Sequence, residues 1–203
     1  MKSQFKKRLL RTAILSLIAF IVGGGIAITQ INNERKLPPP PVAGVEIGGA
    51  YSLVDHNGQD VSADTYAGRP QLIYFGFTYC PAICPTELQK ITKVLNMLGP
   101  KGENIQPLFV TIDPERDTAP VMREYVSLFH PRLIGLTGNQ KQIDDALKSF
   151  RVFAKKVQDP QMNDYTMDHS SFIYLMGKDG QLISIYRIKD DAAYIVQDIK
   201  AKI

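Results

Sequence analysis

The sequence predicts an α/β domain of parallel βαβ units that ends in an antiparallel hairpin, with an N-terminal β-hairpin at its start and one transmembrane helix ahead of it. Three observations carry this. Short, nearly continuous apolar runs rich in β-formers, QLIYFGF (71–77) and PLFVTID (107–113), read as strands covered on both faces. Segments with apolar residues at helical spacing alternate with them, as crossover helices require. The run at 12–31 carries no charge, and at ~1.5 Å per residue it spans the ~30 Å of a bilayer core.

Residues 1–11 form a basic tail holding Lys2, Lys6, Lys7, Arg8 and Arg11. Without those five, the 24 basic and 20 acidic residues of the chain come almost into balance, which argues against nucleic-acid binding. The positive-inside rule then puts the tail in the cytoplasm and the rest of the chain across the membrane. A cleaved signal peptide, with Gly25-Ile26-Ala27 as its small-residue site, is the competing reading; the length of the run favours an uncleaved anchor. Residues 32–44 include Pro38 to Pro41 and read as a stiff polyproline spacer, so the folded domain is expected over 45–203.

Within that domain, Asp55-His56-Asn57-Gly58 between extended runs signals the first hairpin. Strand 71–77 leads to the two cysteines and then to Leu88, Ile91, Leu95 and Leu98, whose helical pattern is expected to stop at Gly99-Pro100. Strand 107–113 precedes a helix at 118–129, with Asp117 or Thr118 as its cap and Pro120 in its first turn. A short strand at 133–136 and a helix at 140–150 follow. Strands 171–176 and 181–187 are joined by Gly177-Lys178-Asp179-Gly180, and an amphipathic helix at 192–200 closes the chain.

Cys80 and Cys84 are the only two cysteines. A disulfide closing so short a loop would remove little unfolded-state entropy, so the pair reads as chemical rather than architectural. A helix N-terminus stabilises anions, so both sulfurs are expected to ionise readily. At four-residue spacing they can grip one ion or form a disulfide. Two thiolates favour soft metals, Cu(I) above all, with zinc also possible. His169 stands just before strand 171–176 and is as well suited to a structural role as to a ligand's; Asp168 has little prospect of orienting it. Asp113, Glu115, Arg116 and Asp117 read mainly as a strand end and helix cap, and secondarily as a partner-facing loop. Met162 and Met167 could lend thioether sulfur but more often such residues pack. His56 and His130 read as bystanders.

The segments TYCPAICPTELQK (78–90), TIDPERDT (111–118) and YTMDHSSFIYLMGKDG (165–180) resemble the three hallmark segments of the Sco/SenC family. The resemblance implies a thioredoxin-like fold, an anchor in a bacterial or mitochondrial inner membrane, and a role in assembling the copper centre of cytochrome c oxidase. It makes Cys80, Cys84 and His169 the copper ligands, able to hold Cu(I) and Cu(II). The oxidase's copper-binding subunit is then the expected partner, with another copper carrier or a thiol reductase beside it. Eleven residues before the apolar run leave no room for a mitochondrial presequence, so a bacterial inner membrane with the domain in the periplasm is expected. The function implied is that of a metallochaperone rather than a turnover catalyst. Its alternative is a thiol-disulfide oxidoreductase acting on the oxidase's cysteines.

Overall fold

The computed structural model describes residues 46–158 and 164–203, together with the isolated helical positions Ser16, Phe20, Gly23 and Gly24. Apart from those four positions, the expected tail, membrane helix and linker lie outside the described residues. Among the described residues no helix is long and apolar enough to cross a membrane. The chain divides into two compact units, Met1–Ala43 and Gly44–Ile203, and the second carries the candidate site.

Its elements run β1 (Ser52–Asp55), β2 (Asp60–Ser62), a 3-10 turn (Ala63–Tyr66), β3 (Gln71–Gly76), α1 (Ile83–Leu98), α2 (Pro100–Glu103), β4 (Gln106–Thr111) and α3 (Ala119–Val126). Then come β5 (Ile134–Thr137), α4 (Gln140–Ser149), β6 (Ala154–Gln158), β7 (Tyr165–His169), β8 (Phe172–Met176), β9 (Leu182–Arg187) and α5 (Ala192–Lys202). Seven strands form one sheet in the order β2-β1-β5-β4-β3-β8-β9. Its centre, β5-β4-β3, is parallel, as the helical crossovers require, and β8-β9 and β1-β2 flank it in antiparallel pairing. Every residue of β3 and β4 is buried, which is why their sequences show no alternation.

Local chemistry fixes the element ends. The Asp55 carboxylate accepts from the N–H groups of Asn57 and Gln59, and Gly58 supplies the positive φ of 82° that the first hairpin turn needs. Helix α1 buries Leu88, Ile91, Val94, Leu95 and Leu98 against the sheet and ends at Gly99. Pro100 does not simply stop the helical pattern. It opens the one-turn helix α2, where a missing N–H costs nothing. Helix α3 is shorter than expected: past Val126 the chain tightens, with Leu128 and Phe129 N–H donating to the carbonyls of Tyr125 and Val126.

The ribbon β6-β7 has no counterpart among the expected elements. Its register pairs Ala154 with His169 and Gln158 with Tyr165. β6 is almost wholly exposed and β7 no more than half-buried, so neither segment carries the apolar alternation by which a strand is read. His169 is therefore the last residue of a strand, not a loop residue ahead of β8.

Candidate metal centre

β3 delivers the chain at Gly76, and Phe77, Thr78 and Tyr79 carry it to Cys80, just before α1 begins. Cys84 is the second residue of α1. Its N–H donates to Cys80 Sγ at 3.4 Å, so the sulfur takes the place of a side-chain cap on a helix whose cap residue, Ala82, has none to offer. Pro85 follows and has no N–H to satisfy. Cys84 is 0% exposed. Its sulfur lies over Gly76, where an added Cβ would come within 2.7 Å of Sγ. Tyr74 approaches the same sulfur, with Oη 3.6 Å from Sγ. Both cysteines are free, and Cys80 is half-exposed.

His169 comes in from the end of β7. Its Nε2 is 3.9 Å from Cys84 Sγ, and its Nδ1 is 2.9 Å from the Ser170 carbonyl. An Nδ1–H donated to that carbonyl leaves the Nε2 lone pair facing the sulfurs. Phe77 stands edge-on to the imidazole, with ring centroids 5.9 Å apart. Two donors bound to one ion at ~2.3 Å (S) and ~2.0 Å (N) stand about 3.5–3.7 Å apart at tetrahedral to trigonal angles. The observed 3.9 Å separation is a few tenths too long. Accordingly, among the described residues no group of three or more His, Cys, Asp or Glu is already closed as a metal cage. Two thiol sulfurs and an imidazole nitrogen are the donor set of a soft, low-coordinate ion, and the residues fit one in kind.

The two sulfurs do not ionise alike, which corrects the expectation that both would do so readily. Cys80 is pulled down to about 3, chiefly by the hydrogen bond from the Cys84 side chain, helped by His169 and the N–H groups of Cys84 and Ala82, against the opposing effect of partial burial. Cys84 is pushed up by that same hydrogen bond, by its burial and by the charge on Cys80. The pair shares one proton, with the negative charge on the accessible sulfur.

The segment between β4 and α3 ties together the two parts of the chain that carry these donors. Asp117 is 0% exposed and does not cap α3; Thr118 occupies the cap position, without a side-chain bond. The Asp117 carboxylate instead accepts from Thr78 N–H at 3.0 Å, from Thr78 O–H, and from Thr111 O–H at 2.6 Å, fixing the approach to Cys80. Burial pushes this carboxyl up, against those hydrogen bonds. Arg116 binds the Asp113 carboxylate and donates to the Tyr165 carbonyl at 2.9 Å. Its guanidinium lies 3.8 Å from the centroid of the Tyr165 ring and 4.7 Å from that of Tyr79. Tyr165 O–H donates to Asp113 at 2.9 Å, and Lys156 pairs with Glu115. The His169 ribbon is thus clamped to the end of β4. Of the charged residues of this segment only Glu115 is well exposed, and its partner Lys156 lies on the ribbon. A buried Asp and a capping Asp look the same in sequence; Thr78, Thr111 and Tyr165 open the three hallmark segments, but their residue types do not reveal these bonds.

The remaining candidates take structural places. Asp168 is exposed and has no bond to His169, whose partner is the backbone of Ser170. Met167 packs against the core, and Met162 lies outside the described residues. His56 Nδ1 accepts from Gly135 N–H, and His130 Nδ1 from Arg132 N–H.

A mixed α/β sheet with a Cys-x-x-x-Cys pair at a strand-to-helix junction, faced by an imidazole, defines a thioredoxin-like dithiol–imidazole domain. The family model described as SCO1/SenC matches residues 41–203, and the chain belongs to that family. A SCO2-like protein of Rickettsia prowazekii is 38% identical over 198 residues, 93% of this chain and 96% of that protein. The structure of Bradyrhizobium japonicum ScoI with copper bound is 41% identical, with a TM-score of 0.71, over 77% of this chain and 99% of that one. BsSco, described with a disulfide switch and as a member of the Sco family of cytochrome c oxidase assembly proteins, is 25% identical, with a TM-score of 0.61, over 78% of this chain and 94% of its own.

Proposed function

We propose that this protein is a membrane-anchored copper carrier that helps mature the copper centre of cytochrome c oxidase, holding copper on Cys80, Cys84 and His169. The approach of His169 Nε2 to within 3.9 Å of Cys84 Sγ carries this reading. A thiol-exchange protein needs two sulfurs and no imidazole, whereas a carrier that accepts Cu(II) needs a nitrogen donor to complete its set. The likeness to copper-bound ScoI supports the same reading. Copper is cargo here. Cys80, charged and half-exposed, meets the incoming ion. Cys84 gives up the shared proton and binds from below, and the imidazole closes over both. Release runs by ligand exchange to the oxidase's copper-binding subunit. The anchor is the run at 12–31, with the domain on the periplasmic side of a bacterial inner membrane.

A second reading has its own support. The accessible Cys80 thiolate beside a protonated Cys84 is the arrangement of an attacking and a resolving sulfur, and the disulfide switch described for BsSco is in keeping with it. Copper titration of the reduced full chain beside His169→Ala, with oxidase assembly scored in cells, separates the two. The carrier reading expects one copper per chain and loss of Cu(II) retention and of oxidase assembly in the variant. Normal oxidase assembly by His169→Ala, alongside failure of either cysteine variant, gives the function to thiol exchange. A reporter fused after Ile203 tests the topology, and cytoplasmic reporter activity rejects it.

A further inference from the structure

Burying a phenol in the middle of a sheet costs the hydration of its hydroxyl unless that hydroxyl finds a partner. Tyr74 is 0% exposed and stacks on Phe109 with ring centroids 6.2 Å apart. A phenylalanine would keep all of that packing. What the hydroxyl adds is a contact of 3.6 Å to Cys84 Sγ, within range for an O–H···S hydrogen bond, beside a hydrogen bond with the Ser171 side chain. The sulfur is held for it: Gly76, two residues along the same face of β3, leaves room for Sγ, and a Cβ there would press on Cys84 Sγ at 2.7 Å and on the Tyr74 ring at 3.0 Å.

Resting on the copper-holding reading above, we propose that Tyr74 is a positioning residue for Cys84: its hydroxyl donates to Sγ, aims the remaining lone pairs at the side where Cys80 and His169 stand, and sets how strongly that sulfur donates. Hydrogen bonds around a cysteine sulfur tune both the affinity and the redox balance of a bound ion. Removing the donor leaves Cys84 more electron-rich but less well oriented. The charge-transfer band from sulfur to Cu(II) then moves to longer wavelength, the Cu(II) state gains relative to Cu(I), and Cu(I) affinity falls about tenfold. The contact also acts without metal, because a reduced sulfur accepts a hydrogen bond better than a disulfide sulfur does. When the dithiol reacts with one glutathione disulfide to give the protein disulfide and two glutathione thiols, loss of the donor favours the disulfide by about fivefold.

The test compares Tyr74→Phe with Tyr174→Phe in the full chain. Tyr174 is a buried phenol of the same sheet that packs on Phe75 and Phe150, away from both sulfurs. The two variants should have similar urea midpoints, and only Tyr74→Phe should move the band, the Cu(I) affinity and the glutathione constant. A band at the wild-type position in copper-loaded Tyr74→Phe overturns the inference. If the wild-type chain binds no copper, the carrier reading fails and the glutathione constant alone decides. A fivefold shift confined to Tyr74→Phe then upholds the contact, and equal constants in the two variants overturn it.

Discussion

Alkylation of Cys80 by iodoacetamide should be nearly independent of pH between about pH 5 and pH 8. Over that range a thiol of pKa ~8.5 goes from about 0.03% to about 24% ionised and quickens roughly 800-fold. Cys80, held down to about 3, is ionised throughout, so its profile should stay flat within about twofold. Its absolute rate is modest, because thiolate nucleophilicity falls with pKa at a Brønsted slope of ~0.4–0.5; Cys80 should outpace a free thiol only below about pH 6. Partial burial scales the whole profile and leaves its slope alone, so the slope is the observable, read by mass spectrometry of the modified peptide. Cys84→Ala removes the largest contributor to the low pKa, the side-chain hydrogen bond, and should restore a slope through the neutral range. His169→Ala removes a smaller contributor and should restore less of it. A wild-type profile that climbs like a free thiol's, or a Cys84→Ala profile that stays flat, refutes the shared-proton assignment.

Gly76→Ala puts a methyl 2.7 Å from Cys84 Sγ and 3.0 Å from the Tyr74 and Phe109 rings, so it should cost about 1–3 kcal/mol in urea unfolding and weaken copper binding by displacing the sulfur. Asp117→Asn turns an amide N–H2 toward at least one of the donors from Thr78 and Thr111, for a loss of about 1–3 kcal/mol and a weaker copper site; an unchanged copper affinity would show that Thr78 does not set the Cys80 loop. Arg116→Lys cannot keep the Asp113 carboxylate, the Tyr165 carbonyl and the stacking on the Tyr165 ring together, and should lower copper affinity while leaving the alkylation profile of Cys80 flat. Asp198→Ala removes the acceptor of the buried Ser184 and Tyr186 hydroxyls and the partner of Lys202, and should cost about 1–3 kcal/mol with copper affinity intact, as thermal and titration measurements together can verify.

The elements with strong apolar signals were legible in the sequence. β3, β4 and α1 bury continuous or helically spaced apolar faces, and they lie within a residue or two of their expected bounds. Cys80 and Cys84 were legible because their type and spacing leave few other uses. The β6-β7 ribbon was not, because its stability comes from pairing and from Arg116 and Tyr165 rather than from a buried face. Of the two cap candidates Thr118 holds the position, and the other role of Asp117 was hidden for a related reason. A carboxylate ahead of a helix predicts a cap, and only the fold shows that Thr78 and Thr111 compete for it and win. The unequal acidity of the cysteines depends on a one-sided burial that the spacing leaves open.

That burial also orders events on the carrier reading. Cys84 lies at the bottom of the site, over Gly76 and under Tyr74, and nothing from outside can displace it first. Cys80 is half-exposed, and His169 ends a two-stranded ribbon outside the main sheet, which Arg116 holds at Tyr165, the other end of the same strand. An incoming donor from a partner therefore competes with the imidazole and Cys80 before it meets Cys84, and the ion leaves the chain through its two outer donors. The hydrogen bonds of Asp117, Arg116 and Tyr165 do not touch the ion, yet they decide how far those outer donors can yield. A change in any of them should alter the rate of copper transfer to a competing chelator more than a change of equal cost in the distant core.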